Sequence, residues 1–273
     1  MNTSNSYSEF YESSKLFHGS LMYAMGTRLD AVIVGPEKDL SMICWEMIIR
    51  EISRLSLLFD KYDERSELYK INQNAGRIPC HVNDELWSVL IDCKRYHNIT
   101  AGYFDISLTD YNKVVLDAKA KTVFFQDEHI QLDLGAYGKG YALEKIRTIL
   151  LDKKVNCALI NFGNSSVLAL GSHPHGDYWP IGIEDPYNSQ TMLGVVELKD
   201  NALSTSGNMP SHTNHILDPH TGNYTDIRKI VSVKTTNAID AEVLSTILMI
   251  IPDELAKSVL PNFILDEYLL FDL

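Results

Sequence analysis

The stretch Asp133-Leu134-Gly135-Ala136-Tyr137-Gly138-Lys139-Gly140-Tyr141-Ala142 decides how the rest of the chain is read. An apolar run ends on an acidic residue, three glycines follow, and residues 138–151 continue with the spacing of a helix. Glycine lets a backbone come close to a ligand, and a helix N-terminus offers unpaired N–H groups to phosphate. The order G-x-x-G-x-G reverses the dinucleotide-binding fingerprint, and no G-K-[ST] follows, so a Walker loop is excluded. The glycines alone suit a phosphate cradle and a tight strand-to-helix turn equally.

On the N-terminal side, residues 28–35 predict a strand closed by Gly35-Pro36. A helix over about 40–59 follows, with Asp39 as its cap and Trp45, Ile48, Ile49, Ile52, Leu55 and Phe59 on one face. Asn83 is placed to cap a second helix over 84–98, and short strands are expected at 114–116 and 122–125. On the C-terminal side, strand-like runs cover 158–162, 167–170, 179–184, 193–198 and 230–234. A helix over 241–251 then stops at Pro252. Helices early and strands later, without βαβ alternation, make this an α+β chain. Residues 1–20 read as a poorly ordered lead-in, and 21–273 as one domain with two lobes. The apolar end, 263–273, can pack either on the body or on another subunit.

The chain has 273 residues, with 24 Lys+Arg against 36 Asp+Glu and a formal net charge of −12. That balance, with no basic cluster, argues against a nucleic-acid partner and is compatible with a bound divalent cation. Four scattered cysteines, Cys44, Cys80, Cys93 and Cys157, form no C-x-x-C, so neither a zinc site nor a redox pair is expected. The first twenty residues lack a basic segment followed by an apolar one, and the longest apolar run, 244–252, is too short to cross a bilayer. A cytoplasmic protein with no membrane contact is therefore expected; the oligomeric state is left open.

Three further constellations carry chemistry. Thr205-Ser206-Gly207-Asn208 precedes His215-Ile216-Leu217-Asp218-Pro219-His220-Thr221-Gly222, a region of strong turn signals. His215 titrates near neutrality and can act as a general base, or it can serve as a hydrogen-bonded turn histidine. The spacing of His212, His215 and His220 matches no usual zinc pattern. In Ala241-Glu242-Val-Leu-Ser245-Thr246, Glu242 and Thr246 share one helical face. A carboxylate, a hydroxyl and a backbone carbonyl suit Mg²⁺, while a threonine bonded back within its own helix explains the same residues. Met25-Gly26-Thr27, the Ser66–Asn72 stretch and Gly102-Tyr103-Phe104-Asp105 combine turns with apolar or aromatic residues, which are core or a platform for a planar cofactor.

Taken in order, these pieces resemble the ApbE family of FAD:protein FMN transferases. That family shows, in this order, M-G-T, S-E-L-x-x-x-N, G-x-F-D, D-L-G-G-x-A-K-G-Y-A, T-S-G-[DN], H-x-[IL]-D-P-x-T-G and A-D-x-x-[SA]-T, and the chain matches each of them in part from Met25 to Thr246. The resemblance implies a T-fold-related, two-lobed single domain with an FAD cleft between the lobes. It implies a Mg²⁺-dependent transferase that cleaves the FAD pyrophosphate, attaches FMN to a threonine hydroxyl of an acceptor flavoprotein and releases AMP. An FAD pyrophosphatase and a non-catalytic flavin-binding protein are the alternatives. By position, Met25, Tyr62, Tyr103, Phe104, Asp105, Gly135, Lys139, Tyr141, Ser206, Gly207 and Ile216 would meet the flavin nucleotide. Gly138 through its carbonyl, Glu242, Ser245 and Thr246 would hold Mg²⁺, and His215 would activate the acceptor hydroxyl.

The sequence departs from the family pattern at several of these positions. Glu242 replaces the usual aspartate, which moves the carboxylate by about 1.5 Å. Ala136 replaces a glycine, Gly138 an alanine and His220 an arginine, and Gly163-Asn164-Ser165 replaces a paired glycine. The segment after Asp105 is also short for the family.

Overall fold

The computed structural model describes residues 6–208 and 216–273. The chain opens with three strands, β1 (Ser6–Tyr11), β2 (Leu16–Ala24) and β3 (Thr27–Val34), and then a long helix, α1 (Lys38–Phe59). Next come α2 (Glu67–Asn74), β4 (Cys80–His81), α3 (Asp84–Ile99), β5 (Val114–Asp117), β6 (Thr122–Phe125) and α4 (Gly138–Asp152). Strands β7 (Ala158–Phe162), β8 (Ser166–Leu170), β9 (Trp179–Asp185), β10 (Asn188–Leu198) and β11 (Ala202–Gly207) follow. The chain finishes with β12 (Leu217–Asp218), β13 (Asn223–Tyr224), β14 (Lys229–Thr235), α5 (Ala238–Ile247), α6 (Asp253–Val259) and β15 (Leu265–Asp272).

Eight strands form the central sheet in the order β1-β2-β3-β7-β8-β11-β14-β15, with every neighbouring pair antiparallel. Side chains alternate between its faces with period two. In β8, Leu168 and Leu170 join the main core with Ile48, Ile52, Ile146 and Val243 from the helices. Val167 and Ala169 point the other way, onto a second core with Trp179, Ile183, Val196 and Leu198 of the β9–β10 hairpin. All five β8 residues are buried, as expected where both faces of a sheet are covered. A smaller sheet, β4-β6-β5, with α2 and α3, makes the second lobe; its Val123, Phe125 and Leu90 belong to the same main core, so the lobes share one interior.

The lead-in expected over 1–20 is corrected from Ser6 onward. Residues 6–11 pair with 16–21 and form one edge of the sheet. Their sequence SYSEFY alternates exposed and half-buried positions, and its polar composition concealed the strand, as suits an edge. Residues 265–272 form the other edge, pairing with β14 of this chain. The helix placed at 241–251 begins earlier, at Ala238, because the Asn237 side chain accepts from the N–H groups of Ile239 and Asp240. Helix α1 begins at Lys38, with Glu37 rather than Asp39 in the cap position. The Ser66–Asn72 stretch is mostly helix α2 rather than a turn. Asn83 does cap α3, accepting from Leu86 N–H at 2.8 Å. No helix among the described residues is long and apolar enough to cross a membrane.

Candidate functional site

Side-chain and backbone contacts together bring α4 into place. Asn72, buried on α2, donates to Leu132 O at 2.9 Å and accepts from Leu132 N–H at 2.8 Å, which pins the segment just before Asp133. One oxygen of Asp133 then accepts from Gly135 N–H at 2.8 Å, and the other meets Lys61 Nζ at 2.6 Å. The chain turns into α4 through bonds from Tyr137 and Gly138 N–H to Leu134 O. At Gly140, a β-carbon would stand 2.6 Å from Ala238 O and 2.8 Å from Ile239 Cα. Only glycine permits this approach of α4 to the start of α5.

That approach places Lys139 against Glu242. Glu242 is 3% exposed, yet it carries a carboxylate. Lys139 Nζ lies 3.1 Å from Oε1 and 2.8 Å from Oε2. Oε1 also accepts from the Ser166 hydroxyl on β8 and, at 3.3 Å, from Ser204 on β11. Ser245 bridges 2.9 Å contacts to Ser204 and Ser206, so α5 and β11 are linked by hydroxyls. Thr246 donates to Glu242 O at 3.0 Å, the helical back-bond that its spacing allowed. Its hydroxyl oxygen keeps lone pairs for a further partner. A buried carboxylate is costly unless paired and hydrogen-bonded, and this one has both kinds of partner.

The sequence-derived residues distribute as follows. The turn of Met25 and Gly26 has positive φ at both positions, +46° and +84°, the conformation of a two-residue hairpin loop. A β-carbon at Gly138 would come within 3.1 Å of Met25 Cε, so Met25 lies at the start of α4. Tyr141 donates to Glu85 at 2.8 Å, and its ring packs edge-on against Phe59. Tyr62 is 82% exposed, next to the Lys61–Asp133 pair. Phe104 is in the main core, edge-on to Tyr96. Ile216 is buried, and its carbonyl accepts from Thr225 N–H. His215 lies outside the described residues.

An open cavity of about 480 Å³ lies where the end of α3 meets the turn at Pro219-His220. His97, Gly102, Asp105, Asp110 and His220 are among its walls. The Tyr103 ring sits 4.4 Å from that of His220. Asp105 holds its own loop, accepting from Ser107 and Tyr111 N–H, and stands 3.5 Å from His97 Nδ1. Burial pulls the His97 imidazole below its ordinary pKa, against the opposing pull of Asp105.

Among the described residues no three His, Cys, Asp or Glu side chains converge as a metal cluster. Glu242, Ser245 and Thr246 lie on one helix and carry oxygen donors only, the ligand type that a hard cation takes. Sequence reasoning missed Ser166 and Ser204 as parts of this framework, since an isolated serine carries no spacing signal; Asn72 was marked only as the end of the Ser66–Asn72 motif, without its bonds to Leu132.

The ApbE family model matches residues 25–110 and 106–265. An FAD:protein FMN transferase from Klebsiella pneumoniae is 32% identical over 240 residues, covering 72% of this chain and 74% of that protein. One from Treponema pallidum is 29% identical over 203 residues, and there the match spans 55% of the relative's length. The ApbE protein of Thermotoga maritima superposes with a TM-score of 0.80 at 25% identity, covering 93% of this chain and 94% of that one. The flavin transferase ApbE of Vibrio cholerae gives 0.80 at 20% identity, with coverages of 94% and 93%.

Proposed function

The chain belongs to the ApbE family, and from that premise we propose that it is an FAD:protein FMN transferase, dependent on Mg²⁺, that moves FMN onto a threonine hydroxyl of an acceptor flavoprotein and releases AMP. One observation carries the reading. The start of α4, strand β11 and helix α5, far apart in sequence, meet around one buried carboxylate, with Lys139 Nζ 2.8 Å from Glu242 and Ser206 2.9 Å from Ser245.

In this reading Glu242, Thr246, Ser245 and the Gly138 carbonyl would hold Mg²⁺, which would supply charge screening for the pyrophosphate and for the departing AMP. Met25 and Tyr141, at the two sides of the α4 start, border the flavin nucleotide, and Tyr103 with Asp105 borders it from the cavity beside His220. Tyr62, Gly135, Ser206 and Gly207 complete the proposed contacts, while the expected contacts of Phe104 and Ile216 are corrected to supporting positions, since both side chains are buried in the core. His215 takes the proton of the acceptor hydroxyl as its oxygen attacks the phosphorus of the FMN half. The bond between that phosphorus and the bridging oxygen breaks, and the oxygen leaves with AMP.

The test is incubation with FAD and Mg²⁺, with and without an acceptor flavoprotein domain, while AMP, free FMN and acceptor mass are followed. AMP that depends on the acceptor, with a matching mass gain, supports the transferase. AMP with equimolar free FMN would make the protein a pyrophosphatase, and FAD bound intact would make it a carrier.

A further inference from the structure

We propose that Lys139 is a tethered counter-ion that a divalent cation must displace from Glu242, and that the diphosphate of the substrate resolves the competition by receiving the freed ammonium. The inference rests on the function proposed above for its substrate class, but its first half concerns only this chain and a cation.

The argument starts from the occupancy of the carboxylate. Oε1 already accepts from Ser166 and Ser204, and Lys139 touches both oxygens. Oε1 is thus crowded by three donors, and Oε2 meets Lys139 alone, so a cation approaching the less crowded oxygen comes up against that ammonium. Ser166 and Ser204 are buried on central strands and cannot withdraw. Lys139 can: its side chain is 23% exposed against 3% for Glu242, and it has a flexible four-carbon stem. An ammonium and a dication sharing one buried carboxylate also repel each other, in surroundings that screen poorly.

The displaced ammonium remains tethered to the second residue of α4. Any anion bound at this helix start would be its nearest new partner, and the helix terminus favours the same charge. Binding of the cation and of a diphosphate is therefore coupled through one side chain, and the coupling acts in both directions. The Glu242 carboxylate meets Ser166 on β8 and Lys139 together.

The test uses the full purified chain and Mn²⁺ alone as the probe, titrated by calorimetry. Lys139→Met should bind Mn²⁺ at least tenfold more tightly than the parent, and Mn²⁺ should raise its Tm by more. Lys139→Gln keeps a donor for Glu242 without the charge, and it should shift the same way if Lys139→Met does not fold. Glu242→Gln and the double variant Lys139→Met/Glu242→Gln should bind no Mn²⁺. With ADP as the diphosphate probe, the gain in Mn²⁺ affinity should be smaller in Lys139→Met than in the parent. Mn²⁺ affinity in the Lys139 variants equal to or weaker than the parent's overturns the inference. Transfer assays on the same preparations keep the two readings apart. A parent protein that transfers no FMN while its Lys139 variants tighten on Mn²⁺ loses the proposed function and keeps the competition. An active parent with unchanged Mn²⁺ affinity in the variants keeps the function and loses the competition.

Discussion

The hydroxyl of Tyr96 on α3 donates to a carboxylate oxygen of Asp240 on α5 at 2.6 Å, joining the helix that borders the cavity to the helix that carries Glu242. Tyr96 is 2% exposed. Burial pushes the Asp240 carboxyl above its ordinary pKa, while Tyr96 and Arg95 pull it back. Tyr96→Phe should cost about 1.5–3 kcal/mol, the worth of a hydrogen bond to a charged group. It should also raise the Asp240 pKa further. A folded-state pKa above the unfolded value contributes stability at low pH that is lost as pH rises through it. The deficit of the variant should therefore be larger at neutral than at acidic pH, as read by urea unfolding at both.

Gly138 and Gly140 should respond in opposite ways to the same substitution. A β-carbon at Gly140 meets the backbone of Ala238 and Ile239, which cannot yield. Gly140→Ala should lower stability by about 1–3 kcal/mol through overpacking. By separating α4 from α5 it should also weaken the flavin-transfer activity proposed here. At Gly138 the new carbon meets the flexible end of Met25 at 3.1 Å and the Phe59 ring at an ordinary 3.8 Å. Gly138→Ala should be neutral or stabilising by up to about 1 kcal/mol, from helix propensity. Paired thermal melts separate the two.

Acid stability should report on Glu85. Arg54, Tyr141 and Lys145 act on its carboxylate, and with burial opposing they hold its pKa at about 2 against an ordinary 4.5. Stability from this group is complete above the ordinary value and is lost as pH falls towards about 2. Glu85→Gln should flatten the stability profile across that window. The size of the effect is about 1 kcal/mol, since the group is partly solvated and solvent screens such pairs. Urea midpoints measured across the acidic range check it.

His215 and Thr246 should separate chemistry from cation binding. His215→Ala should reduce FMN transfer by about 10²–10⁴-fold, the usual contribution of a general base, while FAD binding persists. Thr246→Ala should instead raise the Mg²⁺ concentration needed for half-maximal transfer. Fluorescence titration with FAD and transfer assays across Mg²⁺ concentrations distinguish the two outcomes.

Local signals carried much of this. The helical repeat of Trp45, Ile48, Ile52 and Leu55 marked α1, and those four side chains are buried on one face. Asn83 was legible as a cap because its side chain bonds a backbone group three residues away. Gly138 opening a helix, and Glu242 and Thr246 on one face of another, followed from period alone. Strand β1 was not legible, because its half-buried positions are Ser6, Ser8 and Phe10, one apolar residue among three, with two tyrosines on the exposed side. Its identity as a strand depends on β2 beside it.

The sequence by itself determined the three long helices near 40–59, 84–98 and 138–151, the Asn83 cap and the order in which the polar motifs occur, because those features depend on neighbours a few residues apart. Tertiary structure decided what the motifs do to one another. Lys139 and Glu242 are 103 positions apart, and Ser166 and Glu242 are 76 apart. They meet because Gly140 lets two helices touch and because β8 and β11 lie side by side beneath α5. An ion pair depends on distance through space, which the spacing of residues along the chain does not encode.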